Sequence, residues 1–207
     1  MRKTWVYAVS NFVFCLLTLL INRIALFPYI KSMLGEAAYA ITLTDQKMLL
    51  TTLIVLVIGS LMYWGVFILS KKYPLAATVL CVIVAVIMAL TGGISMIKNT
   101  PLIYGISAQH IGAASVYIKL CGFWLPLLQG AFALCGIAAE LKKSLVYQLI
   151  CFAGFVLVSA GLMLLTVNVL GTGASGVNLA RIPAALGTLA ITAIWQLKNK
   201  INKSSEL

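Results

Sequence analysis

Six apolar runs, each about as long as a bilayer is thick, occupy most of this 207-residue chain. A helix needs about 20 such residues to cross roughly 30 Å of hydrocarbon. The runs are 5–28, 48–70, 75–97, 113–138, 144–170 and 179–197. Lipid supplies no hydrogen bonds, so a spanning segment must satisfy its own backbone, and a helix does so. The expected fold is all-α: a polytopic integral membrane bundle of six transmembrane helices. It forms a single transmembrane domain, 1–197, followed by a short basic tail, 198–207. Composition closes the soluble alternative. Hydrophobic residues make up 62% of the chain and charged ones 9%, where a soluble domain carries about 25% charged residues. The longest gap, 29–47, has room for a short interfacial helix and no more.

Met1-Arg2-Lys3 ahead of an apolar run imitates a signal peptide. The run exceeds a signal core in length, and no small-x-small cleavage site follows Leu20, so an uncleaved first helix is expected. Basic residues set the orientation. With the N-terminus inside, the cytoplasmic set is Arg2, Lys3, Lys71, Lys72, Lys142, Lys143, Lys198, Lys200 and Lys203. The outer set is Arg23, Lys31, Lys47, Lys98 and Arg181, diluted by Glu36 and Asp45. Nine against five places both termini in the cytoplasm. The net charge of +11 is thus a topological signal. No basic patch is interleaved with stacking aromatics, and nucleic acid is not an expected partner. Trp5, Tyr73 and Trp195 fall near span ends, where amphipathic rings anchor.

Polar residues inside a span should face other helices or a cavity. Asn11, Thr18 and Asn22 are spaced by seven and four, one face of the first helix. Arg181, Ala185, Thr188, Thr192 and Gln196 share a face of the last. Thr78, Cys81, Ala85, Ala89 and Gly92 form a small-residue stripe on the third, suited to close packing. The polar stripes read as the lining of a hydrophilic cavity or as ordinary interhelical glue. Lys119 lies inside the fourth span, where a lysine costs at least about 2.5 kcal/mol on insertion scales. Lys119, Arg23 and Arg181 either reach for the outer headgroups or together neutralise an anionic headgroup or diphosphate. Pro126 and Pro183 fall within spans and should kink or start helices there.

Enzyme chemistry has no constellation here, and no catalytic residue is assigned. Paired intramembrane carboxylates and HExxH are absent from the sequence, and Cys15, Cys81, Cys121, Cys135 and Cys151 include no CxxC. His110 and Cys121 lack a group to orient them as a nucleophile pair. No metal or cofactor is expected. Gly171-Thr172-Gly173-Ala174-Ser175-Gly176 fits GxGxxG, but a dinucleotide site needs a preceding strand and an acid about 20 residues later. Membrane helices flank it, so it reads as an interhelical turn.

The segment from Arg23 to Tyr39 resembles the end of the first helix in polysaccharide flippases of the multidrug/oligosaccharidyl-lipid/polysaccharide exporter superfamily. That helix runs into a basic residue, then Leu-Gly, an acid, and a Tyr-Gly or similar pair. Leu34-Gly35-Glu36 and Tyr39-Ala40 occupy those places, with Ala40 where glycine is usual. A second stretch, from Lys142-Lys143 to Gly171 and on to Ala180, is similar to the family's closing helices. Family members carry two bundles, and this chain is about half their length. Within it, Leu34-Gly35-Glu36-Ala37-Ala38-Tyr39 is faintly echoed by Ile111-Gly112-Ala113-Ala114-Ser115-Val116-Tyr117. The resemblance implies movement of lipid-linked polysaccharide or oligosaccharide precursors between leaflets by alternating access. It makes Arg23, Lys31, Lys119 and Arg181 candidates for the diphosphate, with Asn22 and Thr188 on the cavity wall.

Two functional classes follow. The first is a half-sized flippase in the bacterial inner (plasma) membrane, completed as a homodimer and handling a lipid-linked sugar diphosphate. The second is a non-catalytic accessory or substrate-binding subunit of a larger transporter or envelope-synthesis complex. The first needs water-accessible stripes on the first and last helices. The second predicts a dry bundle with an exposed small-residue face, such as that of the third helix. Without acids in the helix interiors, a carboxylate ion relay has no obvious residue.

Overall fold

A computed structural model describes residues 4–21, 24, 28, 38–104, 111–142, 146–171 and 175–204, with side chains given for most of the apolar interior. Among the described residues the secondary structure is all helical. The helices are α1 (Thr4–Ile21), α2 (Ala38–Ser70), α3 (Pro74–Tyr104), α4 (Ile111–Lys142), α5 (Val146–Leu164) and α6 (Ser175–Ser204). Among the described residues, four helical stretches are long and apolar enough to cross a membrane: Leu53–Ser70, Pro74–Ile94, Val146–Val169 and Leu179–Lys198. Two shorter apolar helical stretches, Trp5–Ile21 and Gly122–Ile137, accompany them. The protein is a multi-pass, membrane-type helix bundle.

The helices outrun the apolar runs that encode them. α2 starts at Ala38, ten residues before its run, and takes in Asp45 and Lys47. The expected 29–47 connection is therefore helical over its second half, while 29–37 lies outside the described residues. α6 continues to Ser204, through most of the basic tail. Helical hydrogen bonding is local and does not stop at the edge of an apolar run. Pro126 and Pro183 both lie inside continuous helices.

α4 is the hub. It packs on each of the other five helices, and every side chain from Trp124 to Ile137 is buried. A helix apolar on all sides belongs inside such a bundle. The small stripe of α3 supplies its tightest neighbour: Thr78, Cys81, Ala85 and Ala89 are all buried. At Gly122 a Cβ would stand 2.7 Å from the Gly92 carbonyl oxygen and 3.0 Å from the Gly93 nitrogen. Proline at 126 lacks the N–H that would bond the Gly122 carbonyl. That oxygen would lie 3.0 Å from a Cβ at Gly92, so glycine at both positions lets the two backbones approach. The small-residue face of α3 is thus spent inside the bundle.

The outer surface is apolar. Leu61, Ile68, Leu157, Ile191 and Ile194 are more than half exposed, a distribution suited to lipid and not to water. α5 ends in one π-helical turn, Leu165–Val169, where the Leu170 N–H reaches the Leu165 carbonyl at 3.1 Å. Gly171 follows at φ +63°, a left-handed conformation that glycine adopts without a Cβ penalty. Of the Gly171–Gly176 motif, Gly171 thus forms the exit from the π-helical turn and Ser175 and Gly176 open α6, while 172–174 lie outside the described residues.

Candidate functional site

Arg181 stands on the first turns of α6, and its side chain is 4% exposed. Its guanidinium carbon lies 5.1 Å from the centre of the Trp124 ring of α4. On Trp124 also stacks Phe155 of α5, at 6.1 Å between centroids and 16° between planes. The cation is thus held against a π face where water is scarce, a contact worth about 2 kcal/mol when desolvated. Trp124 is itself buried, and its Nε1 has no hydrogen-bond partner. An ionisable side chain kept inside a membrane bundle is by default a functional candidate.

Below this stack a polar network crosses the middle of the bundle. Gln129 of α4 is fully buried, and its Nε2 donates to the Leu56 carbonyl at 3.0 Å and to Ser60 Oγ at 3.1 Å. Asn11 Nδ2 of α1 donates to the Gln129 carbonyl at 3.2 Å. One turn and more along, Gln148 Nε2 of α5 donates to the Phe132 carbonyl at 3.1 Å, and Ser10 Oγ donates to Gln148 Oε1. These bonds join α1, α2, α4 and α5. Tyr63 Oη and Gln129 Oε1 are buried in the same region without partners. The Gln129 amide oxygen presses on Gly59, where any Cβ would overlap it.

The six sequence-predicted site residues fare unequally. Asn22, Arg23 and Lys31 lie outside the described residues. Lys119 lies in α4, five residues before Trp124, and its side chain is outside the described set. Arg181 and Thr188 share the inward face of α6 with Ala185 and Gln196. Thr188 Oγ1 donates to the Ala184 carbonyl at 2.7 Å and Thr192 Oγ1 to the Thr188 carbonyl at 2.8 Å. Both hydroxyls are committed within their own helix. Asn11 and Thr18 of α1 are buried as well. α1 and α6 each pack on α4 and have little contact with one another.

Trp124, Gln129 and Gln148 were not singled out in the sequence. Gln129 had a signal: an uncharged amide in the middle of an otherwise apolar run. Cys15, Cys81, Cys135 and Cys151 are buried and unbridged, and among the described residues no group of His, Cys, Asp or Glu is placed to hold a metal. Comparisons with protein-family models, curated proteins and solved structures give no match.

Proposed function

We propose that the protein is a transporter-like membrane protein that moves a lipid-linked saccharide precursor between leaflets by alternating access, with a second copy completing the cavity. In this reading all six apolar runs span the bacterial inner membrane and both termini are cytoplasmic. The observation that carries it is Arg181, a permanent cation kept in the bundle interior against Trp124. A phosphate or diphosphate headgroup is the chemistry an arginine fork receives best. Lys119, five residues before Trp124 in α4, is a second cation for the same headgroup, and the flippase resemblance adds Arg23 and Lys31. The test is a leaflet-transfer assay in proteoliposomes with a lipid-linked sugar diphosphate. Wild type should accelerate transfer over empty vesicles, and Arg181→Gln should lose at least tenfold at equal protein level. Transfer equal to that of empty vesicles overturns the reading.

A second reading has its own support. The polar atoms of α1, α4 and α5 bond helix to helix, and the polar face of α6 is turned inward. That dry packing suits a non-catalytic accessory or substrate-binding subunit, although the small-residue stripe of α3 that this reading expects to be exposed is buried in the bundle. Single cysteines replacing Asn22 and Thr188 separate the two: impermeant maleimide labels them in a hydrated cavity and leaves them unmodified in a dry bundle.

A further inference from the structure

α1 and α2 run antiparallel and leave a groove of about 330 Å³ on the outside of the bundle, walled by Trp5, Val9 and Phe12 from α1 and by Val57, Leu61 and Trp64 from α2. One hydroxyl, that of Ser60, reaches the groove, and its oxygen already accepts from Gln129. The walls are therefore apolar. Along α2 the groove covers the seven steps from Val57 to Trp64, about 10 Å of helix rise, so it is a slot.

The groove-facing stripe continues beyond the slot. Val57, Leu61, Trp64 and Ile68 follow one another at four, three and four, which is one face of α2, and the turn with Lys71 and Lys72 comes next. Ile68 is exposed, and Lys71 and Lys72 stand exposed in the turn that ends α2. Because the helices are antiparallel, with the Tyr7 ring 6.4 Å from that of Phe67, Trp5 stands at this same end. An apolar slot that leads along one face to a cation pair has the pattern of a lipid: tail, then anionic head.

We infer that this groove holds one acyl chain of an anionic phospholipid of the surrounding membrane, with its phosphate at Lys71 and Lys72. A zwitterionic lipid fits the slot equally well but brings no net charge to the lysines. Each lysine near the headgroup favours the anionic lipid by about fivefold. The inference uses neither Arg181 nor transport, and stands whether or not the proposed leaflet transfer does.

The test uses the full chain in nanodiscs made from equal parts phosphatidylcholine and phosphatidylglycerol, with retained lipids counted by native mass spectrometry. Wild type should retain phosphatidylglycerol in preference to phosphatidylcholine. Lys71→Gln and Lys72→Gln should each lower that preference about fivefold, with helix content by circular dichroism unchanged. Val9→Trp, which fills the slot from a half-exposed position, should reduce retention of both lipids. Equal retention of the two lipids by wild type overturns the inference. So does an unchanged preference in the doubly neutralised protein, or undiminished lipid retention by Val9→Trp.

Discussion

The side-chain amide of Asn11 donates to the backbone carbonyl of Gln129 at 3.2 Å, fastening α1 to the middle of α4 where neither residue is exposed at all. Gln129 turns its own amide the other way, to Leu56 and Ser60 of α2. Two side chains therefore join three helices in a setting with no competing water. Between membrane helices the hydrophobic effect supplies no attraction, so such bonds and close packing carry the association.

Gln129→Leu keeps the volume and removes both donors. Hydrogen bonds of this kind are worth about 0.6 kcal/mol on average and about 1.7 at most. The substitution should destabilise the bundle by about 1–2 kcal/mol, and Asn11→Leu by about half of that. Titration of SDS into mixed micelles, followed by helix circular dichroism, reads the difference. A Gln129→Leu curve superimposed on wild type would show that the network contributes nothing.

The glycines divide into two kinds by their surroundings. At Gly122 a Cβ would meet the Gly92 carbonyl oxygen and carbon at 2.7 and 2.8 Å, backbone atoms that cannot swing aside. Gly122→Ala should thus force α3 and α4 apart, at a cost of about 1–3 kcal/mol. Gly187 of α6 has nothing within 4 Å of its Cβ direction, and alanine there removes a helix penalty of about 1 kcal/mol. Gly187→Ala should leave thermal stability unchanged or raise it. The same melting experiment in detergent checks both, and equal effects at the two sites would contradict the packing described here.

Periodicity made the helices and several of their inward faces legible before any coordinates. Thr78, Cys81, Ala85 and Ala89 recur at helical spacing, and that stripe is the one that meets α4. The face joining Arg181, Ala185 and Gln196 was readable in the same way, because neighbours along one helix need only local geometry. The centrality of α4 was not. Its run from Trp124 to Ile137 is apolar on every side but for Gln129, so no amphipathic stripe marks which direction is inward. Trp124 as the seat of Arg181 depends on two residues 57 positions apart (181 − 124), and spacing within a helix cannot report that. The helices also run past the apolar runs, from Ala38 before residue 48 and on to Ser204 beyond residue 197, because apolarity marks the membrane and not the backbone hydrogen bonds.

Arg181 and Trp124 should prove energetically coupled. The guanidinium over the indole gains from the ring quadrupole, and in a dry site that gain reaches about 2 kcal/mol. Either single substitution, Arg181→Gln or Trp124→Leu, removes the contact, so the second should cost less once the first is in place. A double-mutant cycle on SDS unfolding should return a coupling of about 1–2 kcal/mol. Trp124→Phe keeps an aromatic face against Phe155 and should retain part of it, since phenylalanine offers the weaker π surface. Additive single effects would mean that the two side chains are neighbours only, and would leave Arg181 held in place by its other contacts.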